Sequence, residues 1–163
     1  LRLVRATDKE AFRRGLAAMS PGTAYRRFLT HKQGFTDDEL RYLTEVDHFH
    51  HFALVAGDEQ NQGGCGYAAA RFVRFLSAPD TADFAIVVVD PFQRKGLGRA
   101  MMVRMAEAAR ERGVEFLTGE SFKSNTAMFH LIDTLVPHAE WELEGDALTV
   151  RVATSQFPPV ERA

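Results

Sequence analysis

The chain has 163 residues with 20 Lys plus Arg against 22 Asp plus Glu, a net charge of -2, and 45% hydrophobic and 26% charged residues. That length suits one domain able to bury roughly two-thirds of its unfolded surface, and the composition excludes wholesale disorder. The near-neutral balance gives no global signal for nucleic acid or an anionic membrane as partner. A single cysteine, Cys65, excludes an internal disulfide or a cysteine-built zinc site and fits a reducing, cytoplasmic setting. No apolar run approaches the roughly 18 residues of a membrane span, and residues 1–10 lack the apolar centre of a leader.

In chain order, residues 1–5 alternate as a short strand, and Thr7 with Glu10 reads as a capping box opening a helix over 11–19, with Phe12, Leu16 and Met19 inward. Ser20-Pro21 starts a second helix through Tyr25, Phe28 and Leu29. Thr36 with Glu39 opens a third, carrying Leu40 and Leu43. Residues 51–57 and 65–75 read as an antiparallel hairpin around Asn61-Gln62-Gly63-Gly64. Residues 82–89, rich in β-branched side chains and covered on both faces, make the central strand. A helix over 99–112 follows, with Met102, Met105, Ala106 and Ala109 on one stripe and Gly113 just past its end. A strand over 114–118, a helix over 125–135 and a final hairpin around Glu144-Gly145-Asp146 complete the order. The expected division is a domain over 1–153 and a loose tail over 154–163. The class is mixed α/β, with antiparallel hairpins around a strand-turn-helix-strand unit.

The central strand runs through Asp90-Pro91-Phe92 into Gln93-Arg94-Lys95-Gly96-Leu97-Gly98-Arg99 and then directly into a helix. Unpaired N–H groups at such a helix start converge on one spot, which suits a phosphate. Gly96 and Gly98 let the main chain approach an anion, and Arg94, Lys95 and Arg99 add positive charge. A glycine-bearing turn with solvated basic residues is the plainer alternative. There is no Gly-x-x-x-x-Gly-Lys-Ser/Thr loop, and Met101 stands where a dinucleotide-binding loop needs its third glycine.

Gln93-x-x-Gly96-x-Gly98 after a strand and before a helix resembles the acetyl-CoA signature of the GNAT acetyltransferase superfamily. The strand-helix-helix-strand opening, the hairpin and Asn125 at the start of a later helix fall in the superfamily's order, so the resemblance extends to about Val152. Met19-Ser20-Pro21, Tyr25, Arg27-Phe28, Asp83-Phe84-Ala85-Ile86 and Asn125-x-x-Met128 are similar to the catalytic domain of bacterial protein-lysine acetyltransferases. Those enzymes often carry a cyclic-nucleotide-binding or acyl-CoA-synthetase-like domain as well; neither pattern occurs in these residues, and a stand-alone catalytic module is the expectation.

The resemblance implies a GNAT fold, a mixed and mainly antiparallel central sheet with helices on both faces. It implies acetyl-CoA as cosubstrate and transfer of its acetyl group to a primary amine, on a protein lysine or a small molecule, by direct attack in a ternary complex. Main-chain groups of Ile86 and Val88 would face the acetyl and pantetheine portions, Gln93, Arg94, Lys95, Gly96, Leu97, Gly98 and Arg99 would wrap the pyrophosphate, and Asn125 would contact the pantetheine arm or the adenylate side. An amine with an ordinary pKa near 10.4 must lose a proton before attack. Asp83 is the expected base, standing where the resembling enzymes have Glu; the shorter side chain favours a bridging water, and a strand-edge Asp is the alternative. Many members place a Tyr acid a few residues beyond the position of Asn125. Phe129 and His130 stand there, so solvent protonation of the thiolate is expected. The shortened base and missing Tyr also leave open a non-catalytic acyl-CoA-binding regulatory module.

Other clusters read more plainly. His48, His50 and His51 suggest a metal only weakly and fit a solvated strand start or channel rim. Cys65 reads as a small core residue. Arg26, Arg27, Arg71 and Arg74 could line a substrate cleft but read as a solvated face. Asp37, Asp38 and Glu39 favour a helix N-terminus. Specificity is expected to lie in residues 20–51.

Overall fold

The structure, a computed structural model, describes residues 1–58 and 66–161. Seven strands, β1 (Arg2–Leu3), β2 (His51–Ala56), β3 (Ala68–Phe75), β4 (Ala78–Val88), β5 (Phe116–Phe122), β6 (Glu140–Glu144) and β7 (Ala147–Ala153), form one sheet. Its order is β1-β2-β3-β4-β5-β7-β6. Every pairing is antiparallel except β4–β5. Three short helices, α1 (Lys9–Ala17), α2 (Pro21–Phe28) and α3 (Asp37–Thr44), precede β2; α4 (Leu97–Glu111) and α5 (Thr126–Leu135) flank β5 in sequence. The mixed, mainly antiparallel sheet with helices on both faces is the expected architecture.

Alternation along the strands sorts the two faces. Phe52, Leu54, Ala70, Phe72, Phe84, Ile86 and Leu117 point into the main core, where Met101, Met102 and Met105 of α4 meet them. All three are fully buried, Met102 and Met105 on the stripe expected from the sequence. The opposite side chains of β3 and β4, including Ala69, Arg71 and Val87, line a cavity with residues of α1, α2 and α3.

The ends of the helices follow their capping chemistry. Ser20 Oγ accepts from Thr23 N at the start of α2. Thr36 and Glu39 form the expected reciprocal box on α3. The box expected at Thr7 and Glu10 is not formed. Asp8 takes its place, accepting from Arg5 N at 2.7 Å and from both Nη atoms of Arg2 at 2.7 and 2.8 Å, while Glu10 turns outward to Arg13. The bidentate arginine outcompetes a hydroxyl cap and ties β1 to the first turn.

Two further expectations need correction. β5 runs to Phe122, four residues beyond its expected end at Thr118, because Gly119 is held in the ladder opposite Val150. The segment from Thr154, expected as a loose tail, is anchored. Thr154 is 3% exposed and its hydroxyl donates to Val114 O at 2.9 Å, Arg110 donates to Thr154 O at 2.6 Å, and Phe157 is 4% exposed. Cys65 and the Asn61–Gly64 turn lie outside the described residues.

Candidate acetyl-transfer site

β4 and β5 start side by side and then part. Their pairs are Thr81 with Phe116, Ala82 with Leu117 and Asp83 with Thr118; beyond these no pairing follows, although β4 continues to Val88 and β5 to Phe122. A physical wedge sits at the point of divergence. A Cβ on Gly119 would lie 2.6 Å from Phe84 Cε1, so only glycine admits the Phe84 ring there.

The main-chain groups along the gap follow from the ladder. Val89 N donates to Tyr67 O across β3, so by alternation the N–H and C=O groups of Ile86 and Val88 face away from β3, toward β5. Val88 O confirms this direction, accepting from Gln93 Nε2 at 2.9 Å. On the other lip, Lys123 N donates to Asp146 O next to β7, which turns the main-chain groups of Glu120 and Phe122 toward the gap. Two strand edges with unpaired groups thus face one another.

A cavity of about 560 Å³ occupies this gap and opens at the glycine turn. Among the expected site residues, Ile86, Val88, Gln93, Arg94, Gly96, Gly98, Arg99 and Asn125 line it. Gly96 has φ +80° and Arg94 φ +58°, so the turn is curled by two left-handed residues, one on either side of Lys95, before α4. A Cβ on Gly98 would meet only ordinary contacts with Leu131 and Val88, at 3.6 and 3.8 Å. The protein's own packing therefore does not require glycine at 98, and its bareness keeps the mouth open. Ser121, 4% exposed, lines the cavity with a hydroxyl that has no partner among the described residues. Unpaired edge amides, an orphaned hydroxyl and a helix start beside Arg94 and Arg99 fit an elongated, amide-bearing ligand ending in a pyrophosphate.

Three expected residues stand apart from the lining. Lys95 leans toward the Phe92 ring, 5.8 Å from its centroid, and Leu97 packs against the core. Asp83 lines neither this cavity nor the one on the opposite face. It sits one residue below the divergence on the α2 side, with a solvent-accessible side chain. Protein atoms crowded around its carboxyl push its pKa above the ordinary value, Arg27 pulls it back, and Glu120 adds to the rise. Gln93 serves as a brace, since its amide also reaches Thr23 Oγ1 at 3.3 Å. Asp90 completes that brace by accepting from Ser20 N and Thr23 Oγ1, both at 3.0 Å. Burial alone would raise Asp90, but these bonds outweigh it and hold the carboxyl below its ordinary value. The N-terminus of α2 is thereby pinned to the glycine turn.

Asn125 caps α5, its Oδ1 accepting from Met128 N at 3.3 Å, and still lines the cavity. Phe129 lies against Trp141 with centroids 4.3 Å apart, while His130 is exposed at the cavity rim. The structure brings in Thr23, Glu120, Ser121 and Trp141 as well. Glu120 and Ser121 were hidden by the expected end of β5 at Thr118; the signal was Gly119 itself, a strand glycine marking a close approach.

The histidines are structural. His48 Nε2 contacts Val4 O, His50 Nδ1 contacts Asp47, and His51 Nε2 meets Arg71 Nη1 at 2.9 Å. Burial lowers the His51 pKa to about 4, with Arg71 adding to the shift. No group of three or more metal-ligating side chains occurs among the described residues. Arg74 is spent on the carbonyls of Phe49, Pro79 and Arg112. Arg26 is exposed, as expected, but Arg71 is 5% exposed, which corrects the reading of it as part of a solvated face.

The class of protein that carries this strand gap and phosphate-suited turn comes from comparison with known proteins. Residues 23–134 match the model of the acetyltransferase (GNAT) family. The chain belongs to that family and is an N-acetyltransferase domain by that membership, with acetyl-CoA as the family's cosubstrate. It is 33% identical over 99% of its length to acetyltransferase Pat of Mycolicibacterium smegmatis, of which it spans 46%. The chain thus covers about half the length of that relative. In fold it is similar to the GNAT domain of S. lividans PAT, with TM-score 0.83, 21% identity, and 93% and 88% of the two chains covered. A Salmonella typhimurium acetyltransferase solved with acetyl-CoA superposes with TM-score 0.69 at 17% identity, covering 94% and 92%. Among the described residues no helix is long and apolar enough to cross a membrane.

Proposed function

We propose that this chain transfers the acetyl group of acetyl-CoA to a primary amine by direct attack in a ternary complex. The observation that carries the reading is the β4–β5 gap, with two unpaired strand edges and the Gly96–Gly98 turn at one end. A Salmonella protein of like fold was solved with acetyl-CoA, which supports acetyl-CoA as the ligand. The amides at the start of α4, with Arg94 and Arg99, would hold the pyrophosphate. Lys95 and Leu97 belong to the same turn, Lys95 as a nearby charge and Leu97 as its anchor in the core. Ile86 and Val88 N–H groups would bond the pantetheine amides and the thioester oxygen, where a fixed donor stabilises developing negative charge. Asn125 and Ser121 would contact the pantetheine arm from the α5 side.

Asp83 is the proposed base. Its raised pKa suits proton acceptance, and its distance from the cavity lining favours a bridging water. Glu120, at the cavity wall on the same sheet face, is the other carboxylate within reach of that water. The thiolate leaves without a Tyr partner, with Phe129 and His130 at the expected position of one. The acceptor is a protein lysine or a small amine, in a cytoplasmic setting, with no nucleic acid or membrane involved.

The position of Asp83 outside both linings favours one second reading, a non-catalytic acyl-CoA-binding regulatory module. Calorimetry with acetyl-CoA, coupled to CoA release over a panel of amines and lysine peptides, separates the two. Thermal stabilisation with release supports the transferase; stabilisation with no release on any amine leaves the binding module; no stabilisation by CoA or acetyl-CoA overturns both.

A further inference from the structure

A second cavity, of about 1100 Å³, lies on the opposite face of the sheet, between it and α1, α2 and α3. Among the arginines that line it, beside the carboxylates Asp8, Glu10 and Asp58, are Arg27 from α2 and Arg71 from β3. Arg71 spends Nη1 on His51 at 2.9 Å and Nη2 on Leu43 O at 3.2 Å. Arg27 forms no side-chain hydrogen bond or ion pair among the described residues and lies 4.8 Å from the Phe28 ring centroid. Neither arginine has a carboxylate ion-pair partner among those residues.

Two guanidinium groups drawn this far out of water are costly, because each loses hydration and repels the other, and only Arg27 has a carboxylate, Asp83, near enough to offset part of that cost. The strain is visible in their acidity. Burial lowers Arg27 to about 10, partly offset by Asp83 and Tyr42, and lowers Arg71 to about 9, with Arg27 contributing. His51 cannot help as an anion, since it faces Arg71 as a neutral acceptor. Around the two arginines, Phe12, Phe28 and Val87 supply apolar wall. Arg27 also lines the strand-gap cavity, so it stands where the two cavities approach one another. Asp83 projects from the same face of β4, close enough for each charge to shift the other's pKa.

We propose that this second cavity receives the anionic end of the acceptor, a carboxylate or phosphate joined by a short carbon chain to the amine, with Arg27 and Arg71 as its recognition pair. The inference rests on the transferase reading and adds the acceptor's chemical class. Arg27 and Asp83 together form a mixed charge surface, cation for the acceptor's acid and carboxylate for its amine. Planar guanidinium donors suit carboxylate and phosphate oxygens equally, so the source of the anion is a question for the acceptor series.

The test uses the whole chain and matched acceptors: amino carboxylates from glycine to aminohexanoate, each against its carboxamide, and phosphoethanolamine against ethanolamine. CoA release is expected to favour one acid family over its neutral partner by at least about tenfold in kcat/KM. Titration calorimetry without acetyl-CoA is expected to detect that acid and not its partner. Arg27→Gln, at a partly exposed position, is expected to collapse the ratio toward unity through KM for the acid; Arg71→Lys should collapse it partly. Equal use of acids and neutral partners, or an Arg27→Gln loss equal for both, overturns the inference and leaves the transferase reading standing. Arginine-dependent binding of the acid with no turnover of any amine overturns the transferase reading and leaves the anion site.

Discussion

The two cavities are built by different means. The strand-gap cavity is made mainly of backbone: diverging strands, a curled glycine turn and a helix start. The cavity under α1, α2 and α3 is made of side chains brought from distant parts of the sequence, Arg27, Arg71 and Asp8 among them. A backbone site recognises what many related chains share, because its donors are independent of side-chain identity. A side-chain site discriminates, and its recognition can change with one residue.

The strongest way to break this contrast is at the residue between the two sites. Asp83→Asn is expected to lower kcat by on the order of 10²-fold or more at neutral pH while leaving acetyl-CoA affinity in place. In the parent, the rate should fall as pH drops through the Asp83 pKa, at a higher pH than an ordinary carboxylate gives, since burial raises that value. The linkage sign is opposite for stability. The folded chain holds a proton that the unfolded chain, near 3.8, has released, so this group's contribution is lost as pH rises between the two values. Asp83→Asn should therefore raise the melting temperature slightly at neutral pH, which differential scanning calorimetry reads.

Gly119→Ala tests the backbone-built site. The added Cβ would press on the buried Phe84 ring, so a destabilisation of about 1–3 kcal/mol is expected by denaturant titration, together with weaker acetyl-CoA binding. On the side-chain-built side, Asp8→Asn loosens the Arg2 clamp and is expected to cost about 1–2 kcal/mol without changing acetyl-CoA affinity. Burial alone would raise Asp8, but Arg2 and the Arg5 amide outweigh it and lower its pKa below 3.8. Its contribution is complete above that unfolded value and is lost as pH falls through the folded one. A smaller effect is expected for Thr36→Ala, which removes the cap of α3 at about 1 kcal/mol; thermal unfolding reads it.

The same contrast governs what could be read from residues alone. The glycine turn, the central strand and the α4 stripe are local patterns in which spacing dictates geometry, and the backbone-built cavity follows from them. Glu120 and Ser121 escaped because a glycine in a strand looks like an end until its packing partner, Phe84, is in place. Arg27 and Arg71 were legible as candidate cleft residues but read as a solvated face, for a different reason. Arginine on a helix or strand is ordinarily solvated, and only the sheet register, with Arg71 opposite Ala53 and Ala85 under α2, encloses it. Asp8 likewise displaced the cap expected at Thr7 through Arg2, a residue of another element.

Under the proposed function, acetyl-CoA should occupy the strand gap and not the arginine-lined cavity. A crystal structure of the chain with acetyl-CoA tests it most directly. The expected result is a pyrophosphate against the amides of residues 96–99 and a pantetheine arm between Ile86 and Glu120, with the thioester directed toward Asp83 and Arg27. A pyrophosphate seated on Arg27 and Arg71, with the β4–β5 gap empty, would contradict it.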